Sequence, residues 1–301
     1  MDIIPKSDPY IQHLDAAWYQ PYVEEVAVLR LDIIHPTVSG NKWYKLKMNV
    51  THALDNNYKG ILTFGGAYSN HLVATAATAK VFGLVSIGIV RGIYAAENLT
   101  PTLKACREYG MQLIFITNKE YSKKTDGKWL EELQNVHHDF FIVPEGGANK
   151  SGREGAKEIA DYIPNSFSHI CVSIGTGTSF IGIRNNLNSN QQLNGYVPMK
   201  GGSYIRKEIL PYLESESNKD FEIFDDWHFS GFGKWNTDLI SFMNSFYAIN
   251  NIPLDIVYTS KMMYGVCEQI KSGYFPNNAK ILCIHTGGLQ GNTSVQHLLS
   301  Y

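Results

Sequence analysis

Short apolar runs rich in β-branched and aromatic residues alternate along this chain with stretches of helical spacing. "GILTFGG" leads into "SNHLVATAATAKVFG", "LVSIGIVRG" into "TPTLKACREYG", and "MQLIFIT" into the "KWLEELQ" region. Further on, "FFIVPEGG" leads into "SGREGAKEIADYI" and "HICVSIGTG" into "TSFIGIRNNL". The strand-like runs are apolar throughout instead of alternating, so neither face is suited to water. Strands of that kind belong to parallel sheets covered by helices on both sides. The pattern predicts an α/β protein, with "RNNLNSNQQLNG" and "ESESNKD" as exposed loops.

Several of these runs end in paired glycines: Gly65-Gly66, Gly146-Gly147 and Gly287-Gly288. In open α/β sheets ligands lie beyond the carboxyl ends of the strands, where glycine lets the backbone approach them. One pair alone would only turn the chain, but three point to a shared crevice. The loop "SIGTGTSFIG", residues 173–182, follows a strand and opens a helix. Its small residues leave successive amides free for an anion at a positive dipole end. It lacks the Gly-Lys-Ser/Thr of a nucleotide triphosphate loop, and no Asp or Glu follows between Thr176 and Lys207 to hold a ribose. A single phosphate fits better than a dinucleotide. A lysine, Lys42, stands behind the Ser-Gly-Asn turn of "HPTVSGNKWYKLK" at the mouth of an amphipathic helix.

Composition narrows the partner. At 301 residues the chain is long enough for two lobes, since single cores stop growing at about 250–300 residues. With 44% apolar residues, 18% charged and 26 glycines it is an ordinary globular protein, neither disordered nor collagenous. Lys and Arg number 26 against 28 Asp and Glu, with no basic block, so neither nucleic acid nor an anionic membrane is expected and a small molecule is. Cys106, Cys171, Cys267 and Cys283 are scattered without a CxxC pair, the usage of reduced thiols with no metal site. The first residues have no signal-peptide pattern and no run of eighteen apolar residues occurs, so a cytoplasmic protein is expected.

A lysine on a turn, a one-phosphate cradle and no metal cluster together suggest pyridoxal 5'-phosphate. In that order the chain carries "SGNKWYKLK", "GGAYSNH", "GTGTS", "LDIVYTSKMMYG" and "IHTGGLQG". These motifs, spanning about residues 28–292, resemble the 1-aminocyclopropane-1-carboxylate (ACC) deaminase and D-cysteine desulfhydrase family, fold type II of the pyridoxal-phosphate enzymes. The resemblance implies two open, twisted, mostly parallel sheets covered by helices, as in the tryptophan synthase β subunit. It implies a large domain of residues 1–51 and 151–301 with a small domain, 52–150, inserted, and a homodimer. It further implies that Lys42 carries the cofactor as a Schiff base and moves protons at the substrate Cα, with Lys45 secondary. By the same likeness Ser69, Asn70 and His71 hold the substrate carboxylate, and Asn70 also meets the cofactor's phenolic oxygen. Gly175, Thr176, Gly177 and Thr178 form the phosphate cradle, Thr286 touches the cofactor, and Tyr258 and Thr259 face the substrate.

Two departures bear on the reaction. The family's second tyrosine is replaced by Phe232 in "SGFGK", which removes a proton-transferring hydroxyl. Threonines stand at 259 and 286, where ACC deaminases carry Glu and Leu and desulfhydrases carry hydroxyl residues. Without a carboxylate the ring nitrogen is a weaker electron sink, adequate for a good β-leaving group and less so for an unactivated cyclopropane. The expected activity is β-elimination from a small amino acid to a 2-oxo acid and ammonia, as in D-cysteine desulfhydrase. ACC ring opening is the alternative, and a non-catalytic cofactor-binding protein is the more distant one.

Overall fold

The computed structural model describes residues 5–214 and 220–301. The larger sheet contains β1 (Tyr10–His13), β2 (Glu25–Arg30), β7 (His169–Ser173), β8 (Gln192–Tyr196), β9 (Phe221–Phe224) and β10 (Lys280–His285), in the order β1-β2-β10-β7-β8-β9. Only the β1–β2 pair is antiparallel. The smaller sheet is wholly parallel, with β3 (Gly60–Gly65), β4 (Val85–Arg91), β5 (Gln112–Ile116) and β6 (Phe140–Val143) ordered β5-β4-β3-β6. The helices are α1 (Asn41–Asp55), α2 (Asn70–Val81), α3 (Pro101–Glu108), α4 (Asn118–Tyr121), α5 (Gly127–Val136), α6 (Lys150–Lys157), α7 (Thr178–Asn186), α8 (Ile205–Ile209), α9 (Thr237–Asn250) and α10 (Thr259–Lys271). Two mostly parallel sheets clad in helices are what the sequence pattern and the resemblance lead one to expect.

The uniform apolarity of the strands has a direct structural cause. Along β2, Val26 and Val28 enter the core formed with α9 and α10, whereas Ala27 and Leu29 enter the opposite core beneath α1, α6 and α7. In β10, Ile281 and Cys283 divide from Leu282 and Ile284 in the same way. Period-two alternation therefore distributes side chains between two cores, not between core and water. All four cysteines are buried and free, consistent with small core residues.

The polar stretch "RNNLNSNQQLNG" is only partly a loop, because its last residues form β8. Several of its polar side chains turn inward and are hydrogen-bonded there at part of their polar atoms. The buried Arg184 guanidinium donates to the carbonyls of Gln191 (2.6 Å) and Asp220 (3.2 Å). Gln191 donates to Pro164 and Phe167, and Asn194 is fully buried. Hydrophobic patterning cannot detect a strand that carries its own hydrogen-bonding partners inward. Residues 215–219 of "ESESNKD" lie outside the described residues.

Helices α1 and α7 matter most for function, and α6 sets their spacing by lacking side chains. A Cβ on Gly155 would lie 2.0 Å from the Tyr44 carbonyl oxygen of α1, and one on Gly182 of α7 would lie 2.6 Å from Ala156 Cβ. Backbones this close leave no room for relaxation. Gly155→Val is expected to destabilise the protein by about 3 kcal/mol or more in urea titration. Gly127→Ala, whose added methyl meets no atom within 4 Å, is expected to change stability by less than about 1 kcal/mol.

Candidate active site

Lys42 sits in the first turn of α1, and its position depends on Gly40. Gly40 has φ +62°, and a Cβ there would fall 1.9 Å from the Thr286 carbonyl oxygen, so the Ser-Gly-Asn turn lies directly against the end of β10. The Asn41 amide donates to that same oxygen (3.3 Å). Lys42 Nζ donates to Asn41 Oδ1 at 2.6 Å, and Asn41 Nδ2 donates to Ser179 Oγ on α7 at 3.0 Å. The lysine is thus tied to the helix that follows the Gly-Thr-Gly-Thr loop. Burial pushes the Lys42 ammonium down to about 8, against an opposing pull from the Asp255 carboxylate.

Two helix N-termini open toward this lysine. Ser69 caps α2, its Oγ accepting from the Leu72 amide (3.3 Å), which leaves the first amides of the helix without intrahelical partners. Asn70 reaches across to β10: its Nδ2 meets the Gly288 carbonyl only at 3.5 Å, and its Oδ1 is buried with no partner among the described residues. At α7, Gly177 is left-handed (φ +77°) and serves as N-cap without a side-chain bond, while the Thr176 and Thr178 hydroxyls lie 2.9 Å apart. Gly175 faces Tyr258, whose ring would be 3.4 Å from an added Cβ. Thr286 and Ser173 share a hydrogen bond of 3.2 Å, leaving one proton free for a ligand.

Tyr258 and Thr259 do not lie on a strand. They follow a turn organised by Asp255, a 1% exposed carboxylate that the motif reading passed over. Its Oδ1 accepts from the amides of Val257 and Tyr258, and its Oδ2 from the amide and hydroxyl of Thr259 (2.6–3.0 Å). The Thr259 hydroxyl also accepts from the Asp255 amide (2.8 Å). Its proton is therefore engaged, and Thr259 has none to offer a ligand. The signal for this turn was present in the sequence as an Asp whose side chain can meet the amides two and three residues on. Burial, then the charges of Asp255 and Glu145, hold the Tyr258 phenol above its usual range. Phe232 packs edge-to-face on Tyr258 (5.8 Å), in a segment anchored where Lys261 Nζ donates to the His228 and Gly231 carbonyls.

His71 and Lys45 form the inner wall. Thr63 Oγ1 donates to the Val143 carbonyl (2.7 Å), so His71 Nε2, 2.9 Å from that hydroxyl, is the donor to it. Burial and the neighbouring lysines push the imidazole down to about 3, so it is neutral. Its Nδ1 is buried without a partner among the described residues. A side chain so placed has no proton for a carboxylate, and only the His71 backbone amide does. Lys45 is buried beside Gly147, and burial together with Lys42 lowers it well below the usual lysine value. The adjacent Gly146 packs on Thr176, so Lys45, one turn beyond Lys42, belongs to the same chamber as the Gly-Thr-Gly-Thr loop.

No family model matches the chain. A Thermotoga maritima protein named as a candidate ACC deaminase is 25% identical, the alignment covering 90% of this chain and 91% of that protein. The Arabidopsis thaliana mitochondrial bifunctional D-cysteine desulfhydrase/ACC deaminase is 27% identical over 90% of this chain and 74% of its own length. The crystal structure of an ACC deaminase homologue superposes with a TM-score of 0.82 at 23% identity, covering 99% of this chain and 95% of that one. O-ureido-L-serine synthase follows with a TM-score of 0.69 at 14% identity, covering 95% and 90%. The likeness to ACC deaminase and D-cysteine desulfhydrase thus runs along nine-tenths of the chain, and the fold is shared.

The lowered Lys42 value makes a stability prediction whose sign can be stated. Unfolded, the lysine returns to 10.5, so between about 8 and 10.5 the unfolded chain binds more protons and stability rises with pH. The ligand-free Lys42→Met protein should be more stable than wild type at neutral pH, with the advantage shrinking as pH climbs through that window. A difference that does not change with pH in urea titrations would contradict the burial assigned to Lys42.

Proposed function

We propose that the protein is a pyridoxal-phosphate enzyme that eliminates a β-substituent from a small amino acid, releasing a 2-oxo acid and ammonia. The observation that carries this reading is Lys42: a partly exposed lysine with a depressed pKa, tied to α7 and flanked by two helix N-termini that can each take an anion. The residues fit the cofactor. Asn70 Nδ2 makes only a long, 3.5 Å contact to the Gly288 carbonyl, which leaves it able to donate to a phenolic oxygen. The left-handed Gly177, the Thr176 and Thr178 hydroxyls and the first amides of α7 suit a phosphate. The Thr286–Ser173 pair has one free proton for the ring nitrogen.

Pyridoxal phosphate, when bound, supplies an aldehyde that condenses with amines and a ring that accepts the electron pair left at Cα. The chain's own residues supply the rest. With its value near 8, Lys42 is a neutral amine in roughly a tenth of molecules at neutral pH, so it can hold the cofactor and then, once released by the substrate amine, take the Cα proton. Ser69 and the free amides of α2 hold the substrate carboxylate at the positive end of that helix. Tyr258, kept protonated by burial, is a donor to the departing β-substituent. Phe232 excludes water from one side of that phenol and donates nothing to the reaction.

From D-cysteine and water the products would be pyruvate, sulfide and ammonia. ACC ring opening is the second reading, supported by the names of the Thermotoga and Arabidopsis relatives. The hydroxyl pair at Thr286 and Ser173, with no carboxylate beside it to hold a proton on the ring nitrogen, favours elimination. We also propose that the two sheets mark two lobes, residues 1–51 with 151–301 and residues 52–150.

The test is 2-oxo acid release by the cofactor-loaded protein from D-cysteine and from ACC in parallel. Pyruvate from D-cysteine and no 2-oxobutyrate from ACC is expected; 2-oxobutyrate alone would overturn the elimination reading. Lys42→Ala should lower turnover by at least about a thousandfold, within the range for removal of an activated group. Tyr258→Phe should cost about ten- to a hundredfold in kcat, most for the poorest leaving groups.

A further inference from the structure

Beside the site, at the carboxyl ends of β4 and β5, lies a second opening of about 380 Å³ that none of the roles above uses. It is lined by Arg91, Tyr94, Asn118, Tyr121, Ser122 and Lys124. This rim of an open parallel sheet is where ligands are expected. Its contacts lead directly to the reacting groups. The Arg91 guanidinium lies over the loop before Ser69, 3.6 Å from where a Cβ on Gly66 would be. Lys124 pairs with Glu145 at 3.3 Å, Glu145 influences the Tyr258 phenol, and the next residue, Gly146, packs on Thr176.

The charges are unbalanced toward cation. Arg91 and Lys124 both stand over the Tyr121 ring, at 5.8 and 5.0 Å from its centre. Only Lys124 has a carboxylate partner, and Arg91 makes no ion pair among the described residues. Tyr121 is 3% exposed, and its buried hydroxyl faces the Glu145 carboxylate and offers no free proton to the opening. An exposed guanidinium with no carboxylate partner among the described residues, held over a ring with a lysine beside it, is an arrangement that an oxyanion completes.

We propose that this opening is the subsite for the far end of the substrate, and that the site is built for an amino acid bearing a second anionic group beyond its β carbon. Carboxylate, sulfonate and phosphate share the required chemistry. The inference rests on the elimination reading and narrows it: one anion is held at α2 and the other by Arg91, with the scissile bond between them.

The experiment compares a neutral substrate, β-chloroalanine, with cysteate, O-phosphoserine and O-succinylserine, each in both enantiomers. At least one anionic substrate is expected to exceed β-chloroalanine in kcat/KM by about tenfold, and Arg91→Gln should reduce that ratio by about tenfold, chiefly through KM. The identity of the preferred substrate distinguishes the three anions. Calorimetric titration of the cofactor-free protein with malonate, succinate and glutarate gives a readout independent of turnover, with binding of one of them expected and lost in Arg91→Gln. Elimination from β-chloroalanine without preference for any anion, or a ratio that Arg91→Gln leaves unmoved, overturns the subsite. If neither β-chloroalanine nor any of the anionic substrates is turned over, the elimination reading fails and the titration decides: Arg91-dependent binding upholds the anion site, and no binding refutes it.

Discussion

The contact between Gly40 and Thr286 is the constraint on which the rest of the site depends. A backbone turn near the start of the chain presses against the carbonyl that ends β10, at a separation no side chain would allow. The two segments meet because β2 and β10 are paired strands in the larger sheet, so the turn after β2 and the loop after β10 leave the same rim. That single approach brings together Lys42, the threonine-glycine loop at 286–288 and, through Asn41 and Ser179, the start of α7. The close packing of α6 on α1 and α7 through glycines then keeps the two helix starts at a fixed distance. Geometry at the site is thus a property of the backbone before any reactive side chain is considered.

Its electrostatics follow from the same crowding. Lys42 lies close enough to depress Lys45, and the carboxylate felt at Lys42, Asp255, is already engaged by four hydrogen bonds from its own turn. Two helix N-termini add partial positive charge. Without ligand, the Lys42 ammonium and the aligned amides have too little anion to balance them, an arrangement that costs folding free energy. A phosphate and a carboxylate would supply the missing charge, so stability given up in the empty protein reappears as binding affinity. The neutral state of His71 fits this account, because a further cation there would have raised the cost.

Most of the layer architecture was legible in the sequence, and for a clear reason: strands with a core on each face are apolar on both faces through their centres, as β2 is from Val26 to Leu29 and β10 from Ile281 to Ile284. β8 was not legible, because Asn194 and the neighbouring Gln191 and Arg184 are buried polar groups that take part of their hydrogen bonds internally, which no hydropathy pattern distinguishes from a loop. At the site, the glycine pairs and the lysine turn were visible because positive φ and close approach demand particular residue types. Asp255 was missed because its work is local and structural. It bonds to three successive amides, and a carboxylate in a loop is ordinarily read as solvated. Arg91 and Tyr121 were missed for the opposite reason, since they meet only when β4, α4 and the loop before α2 are assembled.

Asp255 also changes how the threonines should be weighed. Sequence alone treats Thr259 and Thr286 as equivalent hydroxyls standing in for a glutamate and a leucine. In the fold, Thr259 has its proton bound to Asp255 and can only accept, whereas Thr286 shares a mobile proton with Ser173. A ring nitrogen that needs a donor can therefore be served only by the second. Neither residue carries charge, so neither can hold that nitrogen protonated as a carboxylate would. In the proposed reaction such a neutral partner would leave the ring a weaker electron sink, and the burden of lowering the barrier would shift to the departing group. That requirement falls on the region between Tyr258 and the Arg91 opening, where a protonated phenol and an unpaired cation both favour the development of negative charge.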